Sequence, residues 1–411
     1  MTGDVVKMNT GDTAWVLTAS ALVLLMTPGL AFFYGGLVRK KNVVSTIMYS
    51  FVSIGLVGVV WVLWGYSLAF GPDLEGWGLI GNLDWFGLKD VSADAPGPYS
   101  DAIPHQAFMV FQGMFAIITP ALVTGAFAER MKFGALCLFI VLWVTIVYAP
   151  LAHWVWGGGW LGDLGALDFA GGTVVHISAG AGALAAALVI GRRIGFPEQT
   201  MGPANVPMVI LGAALLWFGW FGFNAGSSLA ADGVATNAFV VTNAAAAAAM
   251  MAWLFMAWII DKKPSAVGAA TGAVAGLVAI TPAAGFVGPM PALIIGAGAG
   301  VLCYGMVKVL LRFKVDDALA VFGVHGMGGI WGALATGIFV GVGYSALGDG
   351  VGRWEQIGDQ IVAIAAAFAW SFVVTLIIML AIKHTIGISA DESSEGVGLD
   401  ISEHGETAYE L

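Results

Sequence analysis

Two histidines stand inside long apolar stretches of this sequence. His176 lies in DFAGGTVVHISA, residues Asp168 to Ala179, and His325 lies in VFGVHGMGGI, residues Val321 to Ile330. An ionisable side chain inside a membrane-spanning helix is costly, and such residues usually face a pathway rather than lipid. Two imidazoles placed in this way predict a path for a small polar solute or for a proton.

The chemistry of the pair depends on whether the two rings are charged. Burial penalises imidazolium, so we expect both rings to be neutral. A neutral pair that shares one proton offers a donor and an acceptor to a lumen, which suits a small hydrogen-bonding molecule or a proton relay and suits a bare cation poorly. A purely structural hydrogen bond between helices is the alternative for either histidine.

The composition indicates what kind of scaffold carries these histidines. Hydrophobic residues make up 59% of the 411 residues, charged residues make up 10%, and 59 residues are glycine, which lets helices approach closely in lipid. The formal net charge of −10 argues against nucleic acid as a partner. Cys137 and Cys303 lack metal-ligand spacing, so they are interpreted as buried free thiols and no metal or other cofactor is predicted. The chain is predicted to be an all-α polytopic membrane protein.

Apolar runs of about 20 residues, long enough to cross a bilayer as helix, define the predicted segments. The polar start, Met1 to Thr13, lacks the positive charge of a signal peptide, so the first run is predicted to be a membrane helix. Eleven segments are predicted: Thr13–Val38, Val43–Phe70, His105–Ala128, Phe133–Val155, Ala170–Ile190, Pro207–Gly226, Asn237–Ile260, Ala266–Ile280, Ala292–Leu311, Ala318–Val342 and Ile357–Ile386.

Alternate loops between these segments differ in positive charge. All but three of the 16 Lys and Arg residues fall on one side, the exceptions being Lys7, Lys89 and Arg353. The positive-inside rule then places the N-terminus outside and the C-terminus inside. The long outer loop, 71–104, is rich in carboxylates, which would attract cations weakly, although ordinary solvated loop charge explains them equally well.

The segments divide into two groups of five and a final one. Because an odd-numbered repeat re-enters the membrane upside down, this count predicts inverted repeats at about 13–190 and 207–342, an eleventh helix at about 357–386, and a cytoplasmic tail, 387–411. At about 1.5 Å per residue, each histidine lies about 9–12 Å from the start of its segment. The fifth and tenth segments start on opposite faces of a core about 30 Å thick, so we expect both rings near its midplane, offset in depth by about 6–12 Å and able to share a hydrogen bond.

Single residues near the outer face have ordinary structural interpretations. A carboxylate such as Asp168 at the start of a helix caps free backbone N–H groups, and we favour this role, with long-range electrostatic support of an outer site, over direct cation binding. Trp156 fits an interfacial aromatic belt. Phe111 and Phe115, four residues apart, fit packing on one helix face.

A series of motifs runs along nearly the whole chain. They are FYGGLVRKKN at Phe33 to Asn42, FQGMFA at Phe111 to Ala116, GAFAER at Gly125 to Arg130, AHWVWGGGW at Ala152 to Trp160, DFAGGTVVHISA, WFGFNAGS at Trp220 to Ser227, ITPAAGFV at Ile280 to Val287, VDDALAVFGVHGMGGI and the terminal GLDISEHGETAY. This series resembles the ammonium transporter family (Amt/MEP/Rh), most closely its bacterial branch. The resemblance implies a multi-pass protein of a bacterial or archaeal cytoplasmic membrane that moves ammonium or ammonia, needs no cofactor and is not an enzyme.

The resemblance also implies roles for residues at matching positions. Phe111, Trp156 and Ser227 would form an outer recruitment site, since aromatic faces and a hydroxyl attract a cation. Phe111, Phe115 and Phe223 would be stacked rings that close the pore from outside. Asp168 would be structurally placed yet needed for transport. Beside His176 and His325, the narrow apolar lumen, which rejects hydrated potassium and sodium, would be lined at these positions: Leu30, Phe33, Leu216, Trp220 and Val321.

The inner face carries one departure from the family and a regulatory expectation. The family commonly has an acidic residue five positions before the second pore histidine, where this chain has Ala320, while Asp316 and Asp317 remain nearby. The acidic tail would by composition alone be disordered. By resemblance, GLDISEHGETAY packs along the cytoplasmic face, couples the subunits of a homotrimer and helps a PII-type regulator close the pore.

Three other functions stay open on the sequence. A five-plus-five inverted fold is also found in secondary transporters that move an organic solute with sodium or protons. Such transporters bind their solute at broken helices, and Thr281-Pro282 is the one candidate for such a break in this sequence. A redox enzyme would use the histidines as haem or metal ligands, but further ligands at that depth are lacking. An ammonium sensor that conducts little would carry the same pore residues.

Overall fold

The computed structural model describes residues 8–409, which form a bundle of long helices. Lys7 and Glu410, like the rest of the two ends, lie outside the described residues. Within 8–409, nine helices are long and apolar enough to cross a membrane. In chain order the helices are α1 (Thr10–Leu37), α2 (Lys40–Phe70), α3 (His105–Ala126), α4 (Phe133–Leu164), α5 (Gly172–Ile190), α6 (Val206–Gly226), α7 (Gly233–Ile260), α8 (Ala266–Ile280), α9 (Pro289–Arg312), α10 (322–339) and α11 (Arg353–Thr385).

The prediction of an all-α polytopic membrane protein is confirmed, while the count of eleven spans stays a prediction. Helix α8 has 15 residues and is buried along nearly all of its length. Helix α10 consists of a π-helical turn, Phe322–Gly326, and the helix Met327–Phe339. Short or irregular backbone at membrane depth is tolerated where protein surrounds it. The outer loop adds a small antiparallel hairpin of Pro96–Gly97 and Ser100–Pro104.

Two helices begin earlier in the chain than the apolar runs indicate, because a polar side chain caps the start of each. Asn9 accepts hydrogen bonds from the first turn of α1, and Asp232 accepts one from the first turn of α7. These caps satisfy backbone N–H groups that have no partner within the helix. The two helices therefore begin at Thr10 and Gly233, one turn before the predicted Thr13 and Asn237, because capped polar residues extend each helix beyond the apolar run.

Two helix crossings place the central residues. Helix α1 packs against α6 so closely that a Cβ added at Gly212 would lie 2.2 Å from the backbone nitrogen of Phe33. Helix α5 crosses α10 in the same way, since a Cβ at Gly180 would lie 2.2 Å from the Cα atom of Gly326. Such close backbone approach requires glycine, as is common between membrane helices. The crossings bring the corresponding helices of the two predicted repeats together in the middle of the bundle.

Buried charges join the loops of the inner face. Glu129, which is 0% exposed, lies 2.9 Å from Arg193 and 3.1 Å from Arg39. Arg193 also pairs with Asp316 at 2.7 Å. Burial by itself would raise the pKa of Glu129, but Arg193 and Arg39 hold that pKa below its ordinary value. Because a buried charge is stable only when it is paired, this network fixes the ends of α1, α3 and α5 and the segment before α10 relative to one another.

The tail packs against the inner face of its own chain. It contains two short helices, α12 (Glu392–Val397) and α13 (Leu399–His404). A carboxylate oxygen of Asp400 accepts the backbone N–H of Ser45 at 2.8 Å, and the Leu399 N–H donates to the Asn42 side chain at 2.8 Å. The ordered tail therefore differs from the disorder that composition alone indicates, because its carboxylates and backbone find partners at the start of α2.

Candidate functional site

The two membrane histidines lie side by side. The Nδ1 atoms of His176 and His325 are 3.3 Å apart, and the residues are 1% and 3% exposed. When both rings are neutral, one Nδ1 carries the shared proton and the other accepts it. The ring whose Nδ1 carries the proton has a lone pair on its Nε2, and the other ring carries its proton on Nε2. Within the described residues, Nε2 of His176 has no hydrogen-bond partner, so it is free to bond a small molecule.

Both histidines sit in π-helical turns. His176 belongs to Gly172–Ile177 and His325 to Phe322–Gly326, and each turn leads directly into a regular α-helix. A π-helical turn inserts an extra residue into the helix and changes the direction of the side chains around it. In this protein it turns the two imidazoles toward each other instead of stacking them along separate helix faces.

A narrow apolar lumen runs along the histidine pair. Its volume of about 10 Å³ is room for about one water-sized molecule. Val321 is absent from its walls and is buried beside Gly125. The Trp220 indole N–H donates to the hydroxyl of Thr281 at 2.9 Å, so this donor is already occupied. Four of the five predicted apolar positions line the lumen: Leu30, Phe33, Leu216 and Trp220.

Further lumen residues were missed by the sequence reasoning. Ile118 and Leu122 continue the face of α3 that Phe115 begins, so helical spacing alone could have indicated them. Met26 lies one turn before Leu30 on α1. The other residues that line the lumen beside the histidines are Val175, Phe223 and Val274.

Aromatic rings fill the space between the lumen and the outer face. The ring centroids of Phe115 and Phe223 are 4.3 Å apart, and those of Phe111 and Phe115 are 4.9 Å apart. The Phe223 ring lies nearly parallel to the His176 ring, with centroids 6.0 Å apart. The three predicted gate residues therefore form a continuous column of rings that ends at the first histidine.

An open cavity of about 330 Å³ lies on the outer side of this column. Trp156 and Ser227, two of the three predicted recruitment residues, line it together with Phe115. The third, Phe111, is 0% exposed and is not among the lining residues. The Ser227 hydroxyl donates to the backbone oxygen of Phe223 at 2.8 Å, which leaves its own oxygen free to accept a hydrogen bond.

Asp168 caps the helix that carries His176. Its carboxylate accepts four backbone N–H groups, from Gly171, Gly172, Thr173 and Val174, at distances of 2.6 to 3.2 Å. Its backbone oxygen accepts the indole N–H of Trp156 at 2.9 Å. Both carboxylate oxygens are thus occupied by the backbone, which is the capping role favoured on sequence grounds rather than direct cation binding.

Asp317 makes the corresponding cap in the second repeat. Its carboxylate accepts the N–H groups of Val321 and Phe322 at 3.0 and 2.7 Å, at the start of the helix that carries His325. Burial raises the pKa of Asp317 to about 6. Ala320, where the family commonly has an acidic residue, has a left-handed backbone with φ of 58° and lies on the wall of the inner cavity.

The inner cavity begins at the second histidine. Its volume is about 350 Å³, and His325 and Phe33 line both this cavity and the lumen. Asp261 and Lys308 also line it. The outer cavity and this inner cavity are both much larger than the narrow apolar lumen between them. Within residues 8–409, no three His, Cys, Asp or Glu side chains are grouped as a metal ion would need.

The chain is similar over nearly its whole length to transporters of ammonium. Residues 14–409 match the model of the Ammonium Transporter Family. The chain is 53% identical to "Ammonium transporter" of Bacillus subtilis (strain 168), with 98% of this chain and 99% of the relative covered. It is 47% identical to "Ammonium transporter Amt1" of Archaeoglobus fulgidus, with 98% and 100% covered.

Solved structures show the same likeness. "Sensor Amt Protein" superposes with a TM-score of 0.88 at 33% identity, covering 96% of this chain and 98% of that one. Mep2 of Saccharomyces cerevisiae superposes with a TM-score of 0.86 at 36% identity, covering 94% and 88%.

Proposed function

The chain belongs to the ammonium transporter family, and we propose that it recruits ammonium outside, removes one proton and conducts ammonia along His176 and His325. Transport of ammonium by a multi-pass membrane protein follows from the family, and the individual steps are the proposal. The observation that carries it is the pairing of two imidazoles inside an otherwise apolar lumen. Ammonia can hydrogen-bond to such a pair, whereas a hydrated potassium ion loses its water shell there without compensation.

Recruitment takes place in the outer cavity. Contact with the face of the Trp156 ring contributes about 0.5–2 kcal/mol to the free energy of cation binding. The free lone pair of the Ser227 hydroxyl oxygen accepts one N–H group of the ammonium ion. Binding of this strength captures ammonium and also lets it go. Phe115 offers a second ring on the cavity wall, whereas Phe111 supports that ring from behind.

Deprotonation precedes the passage of the ring column, with solvent water in the open outer cavity accepting the proton. The rings of Phe115 and Phe223 provide no oxygen or nitrogen ligand, so a bare ammonium ion between them would be poorly solvated, while neutral ammonia would not. Asp168 supports this step indirectly, because it holds both the start of α5 and the indole of Trp156 in place.

The histidine pair guides ammonia through the lumen. One ring donates to the ammonia lone pair and the other accepts an ammonia N–H, which fits the neutral, complementary state of the pair. Ammonia takes up a proton again in the wide inner cavity. The proton either follows along the imidazoles, which makes transport electrogenic, or returns outside, and a current accompanies only the first route.

An ammonium pulse on proteoliposomes tests this function. His176→Ala combined with His325→Ala should lower ammonium flux about tenfold or raise potassium leakage, since each buried hydrogen bond contributes about 1 kcal/mol. His384→Ala is the matched control, because His384 is exposed and bonds its own helix. Unchanged flux and unchanged selectivity in the double variant would contradict the proposed pore.

An ammonium sensor is the second candidate. It is supported by the similarity to the solved sensor protein, which covers nearly all of both chains. A sensor and a transporter share the recruitment cavity and differ in conduction. If wild-type proteoliposomes conduct no ammonium while added ammonium still changes the tryptophan fluorescence, and Trp156→Phe abolishes that change, sensing is the function.

Partners follow from the same membership. We propose a homotrimer in a bacterial or archaeal cytoplasmic membrane, and the exposed apolar residues Leu211 and Phe218 on α6 support contact with lipid or a further copy of the chain. We also propose that a PII-type regulator binds the inner face beside the tail. Native mass spectrometry measures the number of chains in the assembly. Co-purification of the regulator with the protein, with and without residues 391–411, measures whether it binds beside the tail.

A further inference from the structure

The side chain of Lys308 places a positively charged amino group on the wall of the inner cavity. Lys308 points its Nζ atom at a carboxylate oxygen of Asp261, 2.8 Å away, and the same Nζ lies 5.3 Å from the ring centroid of Tyr304. All three residues line the cavity that begins at His325. Among the described residues of this wall, Asp261 and Lys308 are the pair of opposite charges.

The buried ring of Tyr304 anchors the carboxylate of Asp261, whose own side chain is 43% exposed. The Tyr304 hydroxyl donates to the other carboxylate oxygen of Asp261 at 2.9 Å, so one oxygen remains for a cation. The Tyr304 ring is 4% exposed and lies edge-on against Trp253, with centroids 5.7 Å apart. Lys308, in contrast, has a side chain that is 47% exposed and can swing into solvent.

A lysine side chain and free ammonium present the same chemistry to this site. Both carry one positive charge and donate several N–H bonds, so a carboxylate oxygen above an aromatic face binds either of them. We propose that Asp261 and Tyr304 form an inner ammonium-binding site, and that Lys308 occupies it as a tethered competitor. This inference rests on the proposed function, because it concerns ammonium that has re-formed after leaving the lumen.

The competitor keeps product from accumulating at the exit. A group tethered by a short flexible linker has an effective concentration on the order of millimolar, so it displaces a weakly bound free ion of the same kind. Ammonium that re-forms below His325 therefore passes Asp261 without being retained. Removal of the lysine head opens the site and makes transport sensitive to ammonium on the inner side.

Initial uptake into oriented proteoliposomes measures this sensitivity. The vesicles are loaded with increasing ammonium on the inner face, and the concentration that halves initial uptake is determined. Lys308→Met should lower that concentration about fivefold or more. Lys308→Met combined with Asp261→Asn should restore the wild-type value, and Lys263→Met, which removes an exposed positive charge outside the cavity, should leave it unchanged.

Rubidium, an anomalously scattering cation similar to ammonium, gives a readout independent of transport. Crystals of Lys308→Met soaked in rubidium should show a peak beside Asp261 that is absent from the Asp261→Asn double variant. The proposal is wrong if Lys308→Met transports ammonium with wild-type inner sensitivity and binds no rubidium. If the wild type itself takes up no ammonium, the proposed function fails, and the rubidium peak alone decides the site.

Discussion

Asp168 and Asp317 each stand eight residues before a lumen histidine, and each accepts backbone N–H groups from the start of the helix that carries it. The two carboxylates therefore cap the starts of the helices that carry His176 and His325 in the same way. Negative charge at a helix N-terminus is stabilising, and a capped start also fixes where the following π-helical turn begins. Positioning of the histidine pair thus depends on residues that do not contact the lumen.

Asp168→Ala should destabilise the protein and lower ammonium flux. It leaves four buried N–H groups without their acceptor, at a cost of about 1–3 kcal/mol or more. Thermal unfolding in detergent, together with proteoliposome flux, measures both effects. Asp163→Ala removes an exposed carboxylate from the nearby end of α4 and serves as the control. Equal melting temperatures for the two variants would show that the cap is unimportant.

In the Asp317→Asn variant, the free energy of unfolding should depend less on pH in the acidic range. Burial raises the folded-state pKa of Asp317 to about 6 from the ordinary 3.8, so the folded protein favours the protonated form. Its contribution to the free energy of unfolding is therefore present below pH 3.8 and is lost as pH rises through about 6. The measurement is the melting temperature across this pH range.

The wild-type protein should lose more stability than Asp317→Asn between these two pH values. Asp349→Asn, at an exposed position, should follow the wild-type curve. If Asp317→Asn follows it too, Asp317 does not titrate in this range.

Gly180→Ala should separate the two histidine helices. The added methyl group would lie 2.2 Å from the Cα atom of Gly326, and backbone cannot yield as a flexible side chain would. Overpacking of this kind costs about 1–3 kcal/mol. We expect a lower melting temperature and reduced flux. Gly55→Ala on α2, where no atom lies within 4 Å of the new methyl group, should preserve flux and stability.

Asp400→Ala should loosen the tail. It removes the acceptor of the Ser45 N–H, a loss of about 0.5–2 kcal/mol for a helix cap, and exposes the tail to protease more often. Limited proteolysis followed over time measures the rate of cleavage within residues 387–409. Glu406→Gln, at an exposed position, should leave the rate unchanged. Cleavage at the wild-type rate in Asp400→Ala would mean that other contacts hold the tail.

Much of the fold can be predicted from local sequence. Span-length apolar runs predict the ends of the long helices within a few residues, except that α4 continues to Leu164 beyond the predicted Val155, because the bilayer requires a minimum length of continuous apolar helix. Motifs such as DFAGGTVVHISA place a histidine a set number of residues after its capping aspartate, and that spacing is unaffected by the rest of the chain. The identity of the family and the two lumen histidines both follow from such local features.

Other features depend on how distant helices pack. The 3.3 Å contact joins residues 149 positions apart, and it exists because π-helical turns and close glycine crossings rotate α5 and α10 toward each other. Packing of other helices decides which further residues reach the pathway: Met26 on α1 lines the lumen whereas Val321 does not, and Phe115 rather than Phe111 on α3 lies on the wall of the outer cavity. Spacing along a chain defines which residues share a helix face, but the direction of that face is set by the neighbours that the helix meets after folding.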